Sequence, residues 1–204
     1  MGLGLFVALP HFLTALLVPN LGTGTEAADR PLFHLLDGAI KMAILLLYVY
    51  LIALMHDIRR VFQYHGAEHK AIYAFEAGEE LTVENARKYS TLHPRCGTSF
   101  LLFLILISIG VFSIVLPLLG LAHLTEIAIL NHSLIILSKA VLMLPVAGLA
   151  YELIKASAFR MNQPVFKALI LPGLLLQKLT TREPTDDQLE VALASLLQVL
   201  KNEK

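Results

Sequence analysis

Gln63–Phe100 reads QYHGAEHKAIYAFEAGEELTVENARKYSTLHPRCGTSF, a polar island between long apolar runs that contains the chain's single cysteine. How this island is read decides the rest. If the flanking runs are core helices, the chain is soluble; if they are membrane spans, the island is a domain at a membrane face. Composition favours the second reading. The 204 residues are 56% hydrophobic and 16% charged, and the mean hydropathy is +0.69, whereas a soluble domain carries about 25% charged residues. The fold class expected is therefore all-α: a polytopic helical membrane protein with about four transmembrane helices and a small helical cytoplasmic domain.

Working outward, Gly2–Pro19 is uncharged and just long enough to cross roughly 30 Å of hydrocarbon at 1.5 Å per residue. Pro10 would kink it, and His11 reads as a packed core histidine, with a substrate role as the lesser alternative. A short polar loop, Asn20–Pro31, precedes a second run from Leu32 to Met55. Asp37 and Lys41 stand four apart there and can pair on one helix face, read here as a near-interface pair with the lysine stem snorkelling rather than an ion pathway. Thr98–Leu121 is free of charge, with Thr98 and Ser99 as candidate caps. After a loop at Ala122–Ser133, whose Asn131-His132-Ser133 matches a glycosylation acceptor only by accident, Leu134–Ile154 gives a fourth run interrupted by Lys139, Pro145 and Gly148. Pro164–Leu176 is too short to span and reads as interfacial or re-entrant. Beyond Pro184, Thr185 and Gln188 form a capping box, followed by a leucine face at 189, 193, 196, 197 and 200.

The expected segments are thus 1–55 (two spans), 56–97 (the polar region), 98–154 (two spans) and 155–204 (an interfacial segment and an amphipathic helix). Lys and Arg number six in 56–97 and seven after Ile154, against one in 20–31 and none in 122–133. The positive-inside rule then puts the polar region and both termini in the cytoplasm of a multi-pass protein of the bacterial inner (plasma) membrane. Lipid is the expected partner, with homo-oligomerisation possible. A net charge of zero without a basic block argues against nucleic acid. A lone cytoplasmic cysteine stays a thiol.

Two constellations in the island carry chemistry. His65-Gly66-Ala67-Glu68-His69 fits H-x-x-E-H, which on a helix puts His65 and His69 on one face as two ligands of one metal, with Glu68 beside them as a general base for an activated water. Helix formers from Ala67 to Ala77 end at Gly78, a natural stop. His93-Pro94-Arg95-Cys96-Gly97 offers a second ligand pair, half of a zinc knuckle, in which Arg95 favours the Cys96 thiolate. Thr82 can cap a short helix running through Ser90 that joins the two halves. Four ligands, His65, His69, His93 and Cys96, would close a structural site; three would leave a position open for catalysis. The cofactor expected is a divalent metal, zinc by ligand type. Glu76, Glu79, Glu80 and Glu84 read as a solvated acidic rim. Glu152, beside Tyr151, reads as an ordinary interfacial glutamate before a metal-supporting one.

The run HGAEHKAIYAFEAGEELTVENARKYSTLHPRCGTSFL and the closing LTTREPTDDQLEVALASL resemble the YqhQ-type family of bacterial membrane proteins. The resemblance runs from the second span to the tail and implies a metal-dependent enzyme of undefined activity in a membrane, without naming a substrate. It also implies a longer chain with a Gly-rich amino-terminal segment, so a short or truncated form is expected here. Two functions remain open: a metal-dependent hydrolase, and a non-enzymatic oligomeric channel, transporter or scaffold whose His/Cys cluster is structural.

Overall fold

The computed structural model describes residues 4–17, 30–120, 127–160 and 163–202. Every regular element among them is helical. A π-helical stretch Gly4–Ala8 leads into α1 (Leu9–Leu17), followed by α2 (Pro31–Ala53), α3 (His56–Glu76), α4 (Val83–Arg87), α5 (Gly97–Leu119), α6 (Ala128–Phe159), α7 (Pro164–Thr180) and α8 (Asp186–Asn202). Among the described residues, three helices are long and apolar enough to cross a membrane: Pro31–Ala53, Gly97–Leu119 and Ile129–Ser157. Their length and apolar composition suggest a helical membrane protein. The first apolar run is the short helix Gly4–Leu17, below the ~20 residues a span ordinarily takes. Most of the two expected loops, at 20–29 and 122–126, lies outside the described residues. Asn131 is a buried residue of α6, which removes it as a glycosylation acceptor.

The chain divides into two compact units, Met1–Leu47 with Phe100–Ala156 and Tyr48–Ser99 with Ser157–Lys204. In the first, Asp37 and Lys41 pair across one helical turn as expected, but the expected snorkelling is overturned. Neither side chain snorkels: they are 1% and 3% exposed, and Lys139 is fully buried with them. Asp37 Oδ2 accepts a hydrogen bond from Lys139 Nζ at 2.8 Å, while Lys41 Nζ stands 3.9 Å from the same oxygen. Two ammonium groups sharing one carboxylate satisfy a charge that hydrocarbon would not tolerate alone. His11 is buried, as expected of a core histidine.

The second unit is built on α3. Helix formation begins at His56, well before the run of helix formers from Ala67, so that His65 and His69 share one helix as the motif requires. It ends as expected: Gly78 takes φ of 71°, Glu79 N–H reaches Ala74 O at 3.1 Å and Gly78 N–H reaches Phe75 O at 3.0 Å, the paired bonds of a Schellman stop. One face of α3 is the small-residue stripe Ala67, Ala71 and Ala74, on which Leu189 and Leu193 of α8 and Ala86 of α4 pack. Each leucine so buried stabilises the unit by about 1.5–3 kcal/mol. Of the expected leucine face of α8, Leu189 and Leu193 are buried and Leu196 packs against them, but Leu197 is 41% exposed. Thr82 caps α4 by accepting from Asn85 N–H at 3.3 Å, and Gln188 Oε1 accepts from Thr185 N–H at 2.9 Å, the return half of the capping box.

Candidate metal centre

The neighbouring face of α3 carries His65, His69, Ile72 and Glu76, spaced for one side of a helix, and these line a pocket of about 250 Å³ together with Glu68, His93, Arg95, Cys96 and Gly97. His65, His69 and Cys96 each bring a ligand atom to within 4.8 Å of the others'. His65 Nε2 lies 3.2 Å from Cys96 Sγ. The sequence pairs H-x-x-E-H and the single cysteine therefore do converge.

What orients the imidazoles was not visible in the motif. His65 Nδ1 is 2.8 Å from the carbonyl oxygen of Thr180, and His69 Nδ1 bonds the carbonyl oxygen of Thr91. A carbonyl only accepts, so each ring carries its hydrogen on Nδ1 and presents the lone pair of Nε2. This is how histidine ligands are held by outer partners in metal sites. The two carbonyls belong to different segments, the end of α7 and the loop before α5, and both are pinned to α3. Arg182 N–H donates to Phe62 O at 2.9 Å, Tyr73 Oη–H donates to Leu92 O at 3.0 Å, and buried Lys70 donates to Arg87 O at 3.1 Å while pairing with Glu183 at 3.0 Å.

Cys96 is positioned by a turn clamped through Gln177, a fully buried residue of α7 that sequence reasoning passed over. Its Oε1 accepts from His93 N–H at 2.8 Å, and its Nε2 donates to His93 O and to Ser99 Oγ, both at 2.7 Å. Thr98 and Ser99, expected as helix caps, are used otherwise: Ser99 receives Gln177, and Thr98 contacts Cys96 Sγ through its hydroxyl at 3.1 Å and its N–H at 3.4 Å. Burial pushes the Cys96 thiol up, but hydrogen bonds from His65, His69 and Thr98 outweigh it and hold the pKa down at about 5. The bond to Cys96 in turn raises His65, against burial, which lowers it. In the metal-free site Cys96 Sγ and His65 Nε2 thus share one proton, and a metal that displaced it would meet two nitrogen lone pairs and a sulfur.

His93 stands beside this triad, its ring centroid 5.6 Å from that of His69. Its Nδ1 accepts from Arg95 N–H at 3.3 Å, which puts the ring hydrogen on Nε2; that atom faces Glu76 Oε2 at 3.5 Å without hydrogen-bond geometry. Burial lowers the His93 pKa, partly offset by Glu76. Arg95 pairs with Glu76 rather than with the thiol. Glu68 is exposed on the pocket wall. Glu152 is exposed as well.

The donor set fits a borderline-soft divalent ion: two imidazoles with their hydrogens turned away and one acidified thiol. Compared with known proteins, residues 1–202 match a family model described as "Protein of unknown function (DUF1385)". The chain is 36% identical over 198 residues to the "Uncharacterized protein YqhQ" of Bacillus subtilis (strain 168), covering 97% of this chain and 57% of that protein. The chain therefore spans little more than half the length of this relative. No solved structure matches.

Proposed function

The chain belongs to the DUF1385 family, and we propose that it is a membrane-bound, metal-dependent hydrolase whose ion, zinc by donor type, is held by His65, His69 and Cys96. The single observation that supports this reading is the convergence of three ligand atoms, not four, on a pocket that also contains Glu68. Three protein ligands leave a coordination position open, as in catalytic rather than structural sites. Bound there, a divalent ion would supply Lewis acidity and acidify water at the pocket. The chain's own contributions follow from geometry. The Thr180 and Thr91 carbonyls fix the ligand tautomers, Glu68 is the general base, and the Glu76–Arg95 pair with His93 forms a polar wall that orients substrate. The Lys/Arg bias supports a cytoplasmic pocket at a bacterial plasma membrane; with Gly4–Leu17 taken as a fourth crossing, both termini share that side.

The test begins with elemental analysis and X-ray absorption on protein purified in detergent. Bound zinc with two nitrogens, one sulfur and an exchangeable oxygen donor is expected. Glu68→Gln should then keep the metal and lose turnover across a panel of ester, amide and phosphoester substrates. Four protein ligands with no oxygen donor would sink the hydrolase and leave a structural cluster.

A further inference from the structure

The first unit holds a second set of ionisable groups, remote in character from the metal centre and unused by the proposed hydrolysis. From α2 come His34, Asp37 and Lys41; from α6, His132 and Lys139; from α1, His11. α5, packed against them, presents the Phe112 ring 5.2 Å from Lys41 Nζ and contributes no ionisable residue. His11, His34, Asp37, Lys41 and Lys139 are all buried, while His132 is half-buried. An apolar helical unit of a membrane protein carries such groups only at a high desolvation cost, and they mark ion or proton paths when they line up.

They do line up. Lys139 Nζ donates to Asp37 Oδ2 at 2.8 Å and lies 3.3 Å from His11 Nδ1. His11 Nε2 lies 2.9 Å from His132 Nδ1. An ammonium has only hydrogens to give, so His11 Nδ1 accepts and His11 carries its hydrogen on Nε2; His132 Nδ1 must then accept in turn. One assignment satisfies the whole chain, and in it the donors of the Lys139–His11–His132 leg point the same way, towards His132.

We propose that Asp37, Lys139, His11 and His132 form a proton relay between the buried charge cluster and the half-buried end of α6. In one hop, the Lys139 ammonium gives a proton to His11 Nδ1 while His11 Nε2 gives its own to His132 Nδ1. Two N–H bonds break and two form, leaving a neutral amine at Lys139 and an imidazolium at His132. Asp37 Oδ2 then passes the next proton to Lys139, taking it from Lys41 once Lys41 Nζ, 3.9 Å away, closes to hydrogen-bond distance. Lys41 in turn borders a cavity of about 280 Å³ with otherwise mostly apolar walls, the inner terminus of the path. His11 resets when its ring turns or the proton returns.

The test uses the full chain, labelled with nitrogen-15 at histidine, in vesicles of phosphatidylcholine and phosphatidylglycerol. A scalar coupling between His11 Nε2 and His132 Nδ1 is expected. The His11 ring proton, although buried, should exchange with water rapidly in the wild type and roughly tenfold or more slowly in His132→Phe, where only local opening can release it. His132→Gln, which can still accept from His11 but cannot pass a proton on, keeps the packing and should be equally slow; it covers the case in which the phenylalanine variant misfolds. Absence of the coupling, slow exchange in the wild type, or exchange in His132→Gln as fast as in the wild type would each overturn the relay. A purely structural hydrogen-bond chain would show the coupling without the change in exchange.

Discussion

The backbone carbonyl oxygen of Arg182 comes so close to Gly66 that a Cβ there would collide with it. Gly66 separates the two histidines of the H-x-x-E-H motif by leaving a gap in the surface of α3, and the segment after α7 fills it. That approach is what allows Thr180 O to reach His65 and Arg182 N–H to reach Phe62 O. Gly66→Ala should therefore destabilise the second unit by roughly 1–3 kcal/mol through overpacking against backbone that cannot rotate away, and weaken metal binding at the same time. Denaturant unfolding and zinc competition titration measure the two effects. A fully stable Gly66→Ala protein would mean that the tail does not rest on α3.

The depressed thiol pKa gives a pH signature in metal-free protein. Alkylation of Cys96 should rise with pH through a midpoint of about 5, not near its ordinary value of 9.0. Thr98→Val, which removes the hydroxyl contact, should move that midpoint up. The stability linkage has a definite sign. A lowered folded pKa makes the Cys96 contribution complete above about 9 and lost as pH falls through about 5. The raised His65 makes its contribution complete below 6.5 and lost as pH rises through its elevated value. Stability of the apo protein should therefore rise with pH from about 5, with the His65 loss offsetting part of the gain above 6.5, and replacing Cys96 with Ser should remove the rise.

Metal content should sort the four histidine and cysteine candidates. His65→Ala, His69→Ala and Cys96→Ser each remove a member of the triad and should abolish stoichiometric zinc. His93→Ala removes a ring committed to Arg95 N–H and Glu76 and should retain the ion while altering the pocket wall. Loss of zinc in His93→Ala equal to that in His65→Ala would make His93 a fourth ligand and the site closed. Chelation of the wild type should lower its melting temperature, because ion binding adds directly to folding free energy.

The apolar spans and the histidine spacing were legible because each is a local property. A charge-free run declares its transfer energy residue by residue, and two histidines four apart declare a helix face. Thr82 and Gln188 were readable for the same reason, since a cap acts over three residues. The rest depends on long-range contacts that leave no local trace. His65 takes its tautomer from Thr180, which follows it by 115 residues, and Lys139 meets His11 across 128. Asp37 and Lys41 were legible only in part for that reason: their spacing showed the pair, whereas the closer partner of Asp37 comes from another helix. The early start of α3 was hidden because His56–Arg60 is polar and lacks the apolar period that marks a helix.

Gln177 provides a test of how the Cys96 turn is held. Leucine at this position has a similar volume but orphans the buried N–H and C=O of His93 together with Ser99 Oγ, which now meet the amide. Each unsatisfied buried group costs about 1–3 kcal/mol, so Gln177→Leu should destabilise by roughly 3 kcal/mol or more and raise the zinc dissociation constant. Gln177→Glu should also fail, because its carboxylate offers no donor to the His93 carbonyl. An exposed control such as Gln198→Leu should do neither.

Lys139 and Asp37 make the clearest stability test within the apolar unit. Their side chains are 0% and 1% exposed, so removing one partner strands a charge in a medium that cannot solvate it. Lys139→Met and Asp37→Asn should each cost roughly 3–5 kcal/mol, the usual penalty for breaking a buried pair from one side. Lys139→Met should be the milder change, because Lys41 still faces Asp37 at 3.9 Å, whereas Asp37→Asn leaves two ammonium groups without a counter-charge. The double variant Asp37→Asn/Lys139→Met should cost less than the sum of the two single variants, since a single cation remains. Thermal unfolding in detergent of the four proteins gives that comparison directly. Additive losses would mean that the two residues do not act as a pair, and would also remove the donor that orients His11.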